Sequence, residues 1–253
     1  MKLALDVGVP PLSLTENFLM RALPADVVAE LGRRATVVEL PLAQRIFDAG
    51  QAEHMYFPLD AVISLLRNLE DGSSVEVAMV GREGTATATS LLGVPESSVE
   101  GLVQGRGWVA RVDGAAVREA MERNAAARAV FHRYVASYIG NTAQLAVCNR
   151  LHVIVKRLAH WLLLLHDRVG SDEMSVTQEF LSRMLAARRA SINEAVQQLE
   201  KSGAIEHHRN RVHVTDRRRL EELSCECYRT SVEEYERALG FAPIAKGRRA
   251  EID

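Results

Sequence analysis

Apolar positions change their spacing twice along the chain. Residues 36–112 carry short apolar runs, TVVEL, HMYFPL, AVISLL, SVEVAMV and GWVARV, separated by Pro, Gly and Asp-Gly breaks. Runs of this length between turn residues predict strands. In LEDGSSVEV, Asp71-Gly72 lies between two alternating runs and predicts a tight hairpin. The segment reads as a small antiparallel barrel or sandwich. Before it, Pro24 opens a predicted helix in which Val27, Val28 and Leu31 form an apolar stripe that stops near Gly32.

After Asp113 the period becomes helical. Phe131, Tyr134, Tyr138, Asn141, Leu145 and Cys148 follow spacings of 3, 4, 3, 4 and 3, the seam of a long helix that needs a partner. A second copy of the chain can supply that partner, with Asn141 as the polar residue that fixes register; so can the chain's own β domain. Another amphipathic helix is predicted over 151–169, with Val155, Leu158, Leu162 and Leu165 on one side. Thr177 then caps a short helix whose apolar face is Phe180, Leu181, Met184 and Leu185. A longer helix from about Arg188 to Lys201 turns Ile192, Val196 and Leu199 inward and ends at Gly203. Ile205 to Val214 alternates around Arg209-Asn210 and predicts a two-stranded wing. Short helix, turn, longer helix and hairpin is the order of a winged helix-turn-helix.

The 253 residues, 47% hydrophobic and 25% charged, suffice for one large domain or two modest ones. The longest strongly apolar run, Trp161 to Leu165, is too short to cross a bilayer, and MKLALDVGVPP lacks a signal-peptide body, so a cytoplasmic protein without a membrane partner is expected. Three cysteines cannot build a disulfide framework, a Cys-only zinc site or a four-thiolate iron–sulfur site. Cys225 and Cys227, at i and i+2, would point apart on a helix and read as packing residues. No metal site is expected. HExxH, GxxxxGK and GxSxG are all missing from the sequence, which argues against an enzyme.

Net charge is −2, but its distribution is uneven. Residues 149–219 hold 13 Lys+Arg against 8 Asp+Glu, a net of +5, between segments of −4 and −3. The basic block coincides with the winged motif, as a nucleic-acid partner would require. Arg188 and Arg189 sit at the amino-terminal turn of the longer helix, where the helix dipole disfavours cations, so helix stability does not explain them. Entry into a major groove does. Arg189 can bond bidentately to a guanine edge, and Asn193 can reach a base or phosphate. Gln178 and Gln197 extend the polar face, Thr177 and Ser191 suit phosphate contacts, and Arg209 and Arg211 in the wing would approach the adjacent backbone.

The segments EHMYFPLDAVISLL, DGSSVEVAMVGREG, AVCNRLH, KRLAHWLLLLHDR, TQEFLSRMLAARRASINEAVQQLEKSGAI and CECY resemble the Crp/Fnr family of bacterial transcription regulators over about residues 17–230. The resemblance implies an α+β chain: a cyclic-nucleotide-binding-like antiparallel β-roll of jelly-roll type over 15–114, a dimerisation helix and linker over 115–148, a winged helix-turn-helix over 149–230, and a charged tail over 231–253. It further implies a homodimer on double-stranded DNA with an inverted-repeat site, and RNA polymerase as a candidate further contact. Two positions depart from the family's best-known recognition helix: Ala190 stands where an acidic residue follows the first Arg, and Glu194 where a further base-contacting Arg lies. Gly81, Glu83 and Gly84 are similar to the family's ribose-binding Gly-Glu element and form the candidate effector pocket. No Arg-Ser/Thr-Ala run follows; the region reads SSVEGLVQGRG, which argues against cAMP binding of the usual kind, because a buried phosphate would lack its charged partner. The identity of any cofactor or effector is left unknown by the sequence. The competing reading is a dimeric protein-interaction module whose winged helix does not read DNA.

Overall fold

The structure, a computed structural model, describes residues 13–50, 53–94 and 96–241. The amino-terminal stretch MKLALDVGVPP and the last part of the charged tail, 242–253, lie outside the described residues.

The amino-terminal half contains strands β1 (Thr36–Leu40), β2 (Arg45–Phe47), β3 (His54–Pro58), β4 (Val62–Asn68), β5 (Ser74–Val80), β6 (Glu100–Gly105) and β7 (Gly107–Asp113). They form two antiparallel sheets, in the orders β1-β7-β3 and β2-β6-β4-β5. Leu40, Phe47, Ile63, Leu65, Val80, Val103 and Val109 fill a core cluster of this roll. The hairpin expected at Asp71-Gly72 joins β4 to β5, with Asn68 opposite Ser74. Its loop is wider than a two-residue turn because the Asp71 carboxylate accepts the Ser73 amide, and Gly72 supplies the left-handed backbone at φ +82°.

Helices α1 (Phe18–Arg21) and α2 (Ala25–Arg34) precede the roll; α3 (Gly114–Arg123) and α4 (Ala125–Leu151) follow it. The segment 115–148, expected to hold a dimerisation helix and linker, contains two helices that divide at Asn124, whose side chain caps the amides of Ala126 and Ala127. Phe131 and Tyr134 on α4 are fully buried against Leu19, Met55 and Phe57 of their own chain. The Tyr134 hydroxyl accepts the Thr85 amide at 3.0 Å and donates to the Thr85 carbonyl at 2.8 Å. A Cβ on Gly84 would lie 2.3 Å from that hydroxyl, so only glycine admits the ring here. The apolar seam of Phe131, Tyr134 and Tyr138 is thus occupied within the chain. Asn141 donates to the Ser137 carbonyl of its own helix, and Asn141 and Leu145 line a cavity between α4, β5 and the next helix.

The carboxy-terminal half contains α5 (Ile154–Val169), β8 (Glu173–Ser175), α6 (Gln178–Met184), α7 (Arg189–Lys201), β9 (Ile205–His208), β10 (Arg211–Val214), α8 (Arg217–Leu223) and α9 (Cys227–Leu239). The wing gains a third strand, in the order β8-β10-β9. Where a tail was expected from residue 231, α9 lies along α4 with Val232 and Tyr235 buried. The core of this half, including Leu158, Trp161, Leu181, Ile192 and Leu199, is continuous with Val62, Leu66, Met79 and Leu102 of the roll. No helix among the described residues is long and apolar enough to cross a membrane.

Candidate nucleic-acid interface

Three apolar side chains fix the orientation of α7. Ile192, Val196 and Leu199 are buried, each contributing about 1.5–3 kcal/mol by leaving water. At the start of α6 the Thr177 hydroxyl accepts the Phe180 amide at 3.1 Å, as its capping role requires. Between α6 and α7 the chain turns through Ala186, whose φ of +45° is a conformation favoured by glycine. The Ala187 amide bonds back to the Ser182 carbonyl at 3.0 Å and closes the turn.

Buried Ile192, Val196 and Leu199 leave Arg188, Arg189, Asn193 and Gln197 exposed. Arg188 is the residue preceding α7 and makes no side-chain cap bond. Arg189 pairs with Glu179 at 3.1 Å, and Gln178 donates to Asn193 at 3.0 Å, so the starts of α6 and α7 meet. An exposed ion pair of this kind contributes only about 0–1 kcal/mol, so a phosphate or base edge can displace it. Ser191 and Thr177 are half-buried. In the wing, Arg209 lies at the exposed tip and Arg211 pairs with Glu173 of β8. The basic and polar positions read from the sequence therefore lie on exposed or half-exposed parts of the motif, and its apolar positions lie in the core.

The winged domain is held to the roll by three carboxylates. Glu76 of β5 accepts from Trp161 at 2.9 Å and from Ser64 at 2.5 Å. Glu83 pairs with Arg168 at 2.8 Å, and Glu100 of β6 pairs with Arg183 of α6 at 3.0 Å. Burial raises the Glu76 carboxyl to about 7, against the opposing pull of its hydrogen bonds to Ser64 and Trp161 and the Arg168 charge. Within the same half, Asp167 pairs with Arg217 at 2.7 Å and accepts the Tyr228 hydroxyl at 2.9 Å, joining α5 to α8 and α9. Sequence reasoning missed these contacts, because isolated acidic and basic residues carry no spacing signal for a partner 50 to 85 positions away.

Residues 156–223 match the Crp-like helix-turn-helix domain family. The match is confined to that carboxy-terminal segment; the chain as a whole has the fold of Crp/Fnr regulators. Similar solved structures include a transcriptional regulator of the Crp/Fnr family from Eubacterium rectale, with 14% identity and a TM-score of 0.65 over 83% of this chain and 98% of that one. The c-di-GMP responsive global regulator CLP of Xanthomonas campestris is similar at 12% identity and a TM-score of 0.61, over 76% and 99% of the two chains. FixK2 from Bradyrhizobium japonicum is similar at 16% identity and a TM-score of 0.60, over 76% and 98%. No curated protein matches the sequence.

Within the Crp/Fnr fold, the candidate effector residues are engaged by the protein itself. The Gly81 amide donates to both Glu83 oxygens at 3.1 Å, Arg168 takes the same carboxylate, and the Gly84 carbonyl accepts from Asn17 at 2.9 Å. The cavity between β5, α4 and α5 is lined by Glu76, Tyr138, Asn141, Trp161, Arg168 and Tyr235 among others, and Gly81, Glu83 and Gly84 are not part of its wall.

Proposed function

We propose that the protein is a sequence-specific, DNA-binding transcription regulator that acts as a homodimer on an inverted-repeat site. The observation that carries this reading is the uncovered face of α7, where Arg188, Arg189, Asn193 and Gln197 stand free of the core in a domain of the Crp-like helix-turn-helix family. Arg189 and Asn193 read base edges in the major groove; Thr177, Gln178, Ser191, Arg209 and Arg211 contact the backbone and set the register. Exposed apolar residues on α4, Ile139 and Val147, supply the dimer contact, because the Phe131–Tyr134 side of that helix is already covered. Glu83 serves as a latch between roll and winged domain, which leaves no free Gly-Glu element for a ribose.

Binding of a labelled duplex, followed by anisotropy over a series of salt concentrations, tests the reading. Counterion release makes log affinity fall linearly with log salt, with a slope of about −0.9 per phosphate contacted. Replacing Arg188 and Arg189 together with Ala should weaken binding at least tenfold while the dimer persists. A flat salt dependence would favour a protein-interaction module instead.

A further inference from the structure

Three cysteines and a histidine from separate parts of the chain converge where α4 ends. Cys148 lies in the last turn of α4 and His152 directly follows that helix; Cys225 sits in the link between α8 and α9, and Cys227 opens α9. The pair Cys225 and Cys227 does not diverge as i and i+2 positions of one helix would, because Cys225 precedes the helix. The three thiols are 1%, 3% and 0% exposed and none forms a disulfide.

Cys148 Sγ lies 3.5 Å from Cys225 Sγ, and Cys227 Sγ lies 3.4 Å from His152 Nδ1. All four donor atoms fall within 4.8 Å of one another. A tetrahedral ion with metal–sulfur bonds of ~2.3 Å has ligand–ligand edges of about 3.8 Å, so the donors already stand at the spacing of one ion's coordination shell. A two-iron cluster would need its ligand pairs spread to opposite ends, wider than this group allows.

The surroundings are those of a metal shell. His152 Nε2 faces the Glu226 carboxylate at 3.5 Å, which leaves Nδ1 directed at the sulfurs in the carboxylate–histidine arrangement common around bound zinc. Gln144 donates to Cys227 Sγ at 3.0 Å, and His160 Nδ1 lies 3.4 Å from Cys148 Sγ. The other ring nitrogen of His160 is buried without a hydrogen-bond partner among the described residues. Three thiolates and a neutral imidazole around a divalent ion leave a net charge of −1, and the half-buried Arg157, which lines the same cavity as Cys148, supplies a positive charge nearby.

We propose that Cys148, His152, Cys225 and Cys227 form a mononuclear site for a thiophilic divalent cation of the zinc class. Four protein ligands close the shell, which makes the site structural. It ties the end of α4, the α4–α5 link and the start of α9 into one unit, and so fixes the angle at which the winged domain leaves the long helix.

The test is the metal content and cobalt spectrum of the full-length protein purified under reducing, chelator-free conditions. One zinc per chain is expected. Exchange into Co²⁺ should give the visible bands of a tetrahedral thiolate site with sulfur-to-cobalt charge transfer. Cys148→Ser and Cys225→Ser should each lower the metal content well below one per chain, and His160→Gln should retain it. If the serine variants fail to fold, the cobalt spectrum of the unaltered protein still decides. Folded protein with no bound metal and no tetrahedral cobalt spectrum would overturn the site. A Cys148–Cys225 disulfide, or two irons per chain with labile sulfide, would overturn it as well.

Discussion

The Arg168 guanidinium on α5 meets the Glu83 carboxylate at 2.8 Å, with the two side chains 2% and 1% exposed. The pair joins the winged domain to the roll, and the Gly81 amide and the Leu164 carbonyl satisfy further valences of the two groups. Removing one member of a buried pair strands the other charge at a cost of about 3–5 kcal/mol, whereas replacing both with apolar groups recovers much of the loss. Urea denaturation of Glu83→Leu, Arg168→Met and the double variant should therefore show strong coupling. Single variants within about 0.5 kcal/mol of the parent would contradict the latch.

Glu76 gives the same interface a pH dependence. Its folded value of about 7 exceeds the ordinary 4.5, so the fold favours the protonated acid. That contribution is complete below pH 4.5 and is lost as pH rises through about 7. Stability should carry a component that falls over this interval by at most about 3 kcal/mol. Urea midpoints measured across the interval should show the fall in the parent protein and a flatter profile in Glu76→Gln. An unchanged slope in the variant would assign the dependence to another group.

Ala186 holds a left-handed backbone in the turn before α7. Relief of the Cβ clash by glycine is worth roughly 1–2 kcal/mol and is partly offset by the greater freedom of glycine in the unfolded chain. Ala186→Gly should raise the Tm by a few degrees. A lower Tm would show that the alanine side chain contributes packing that outweighs the strain.

The α+β architecture was legible because its signals are local. Alternation in SVEVAMV, the 3-and-4 spacing around Phe131, and the Thr177, Gly203 and Arg209-Asn210 punctuation each act within a few residues. The break at Asn124 was not legible, because the apolar seam begins only at Phe131 and leaves the residues before it without a periodic signal. The Phe131–Tyr138 stripe was legible as a seam, but its partner was not, because spacing does not distinguish the chain's own roll from a second copy. The Cys148–His152 and Cys225–Cys227 pairs stand about 75 residues apart, and only the packing of α9 along α4 brings them together. Glu83 drew attention through its likeness to a ribose-binding Gly-Glu element, and the buried partner that engages it, Arg168, lies 85 positions away and leaves no local signal.

The dimer contact proposed for the outer face of α4 rests on Ile139 and Val147, which are 59% and 46% exposed despite being large and apolar. Glu at both positions should convert a dimer to a monomer, read by analytical ultracentrifugation, with the fold retained by circular dichroism. A persisting dimer would move the interface to another surface.

DNA reading by α7 is decided by selection from a random duplex library with the purified protein, at near-physiological salt and without added ligand. The expected result is an enriched inverted repeat with half-sites about one helical turn apart, lost in the Arg188→Ala, Arg189→Ala variant. A folded, dimeric protein that enriches no sequence, or an enriched sequence that the variant binds equally well, would exclude it.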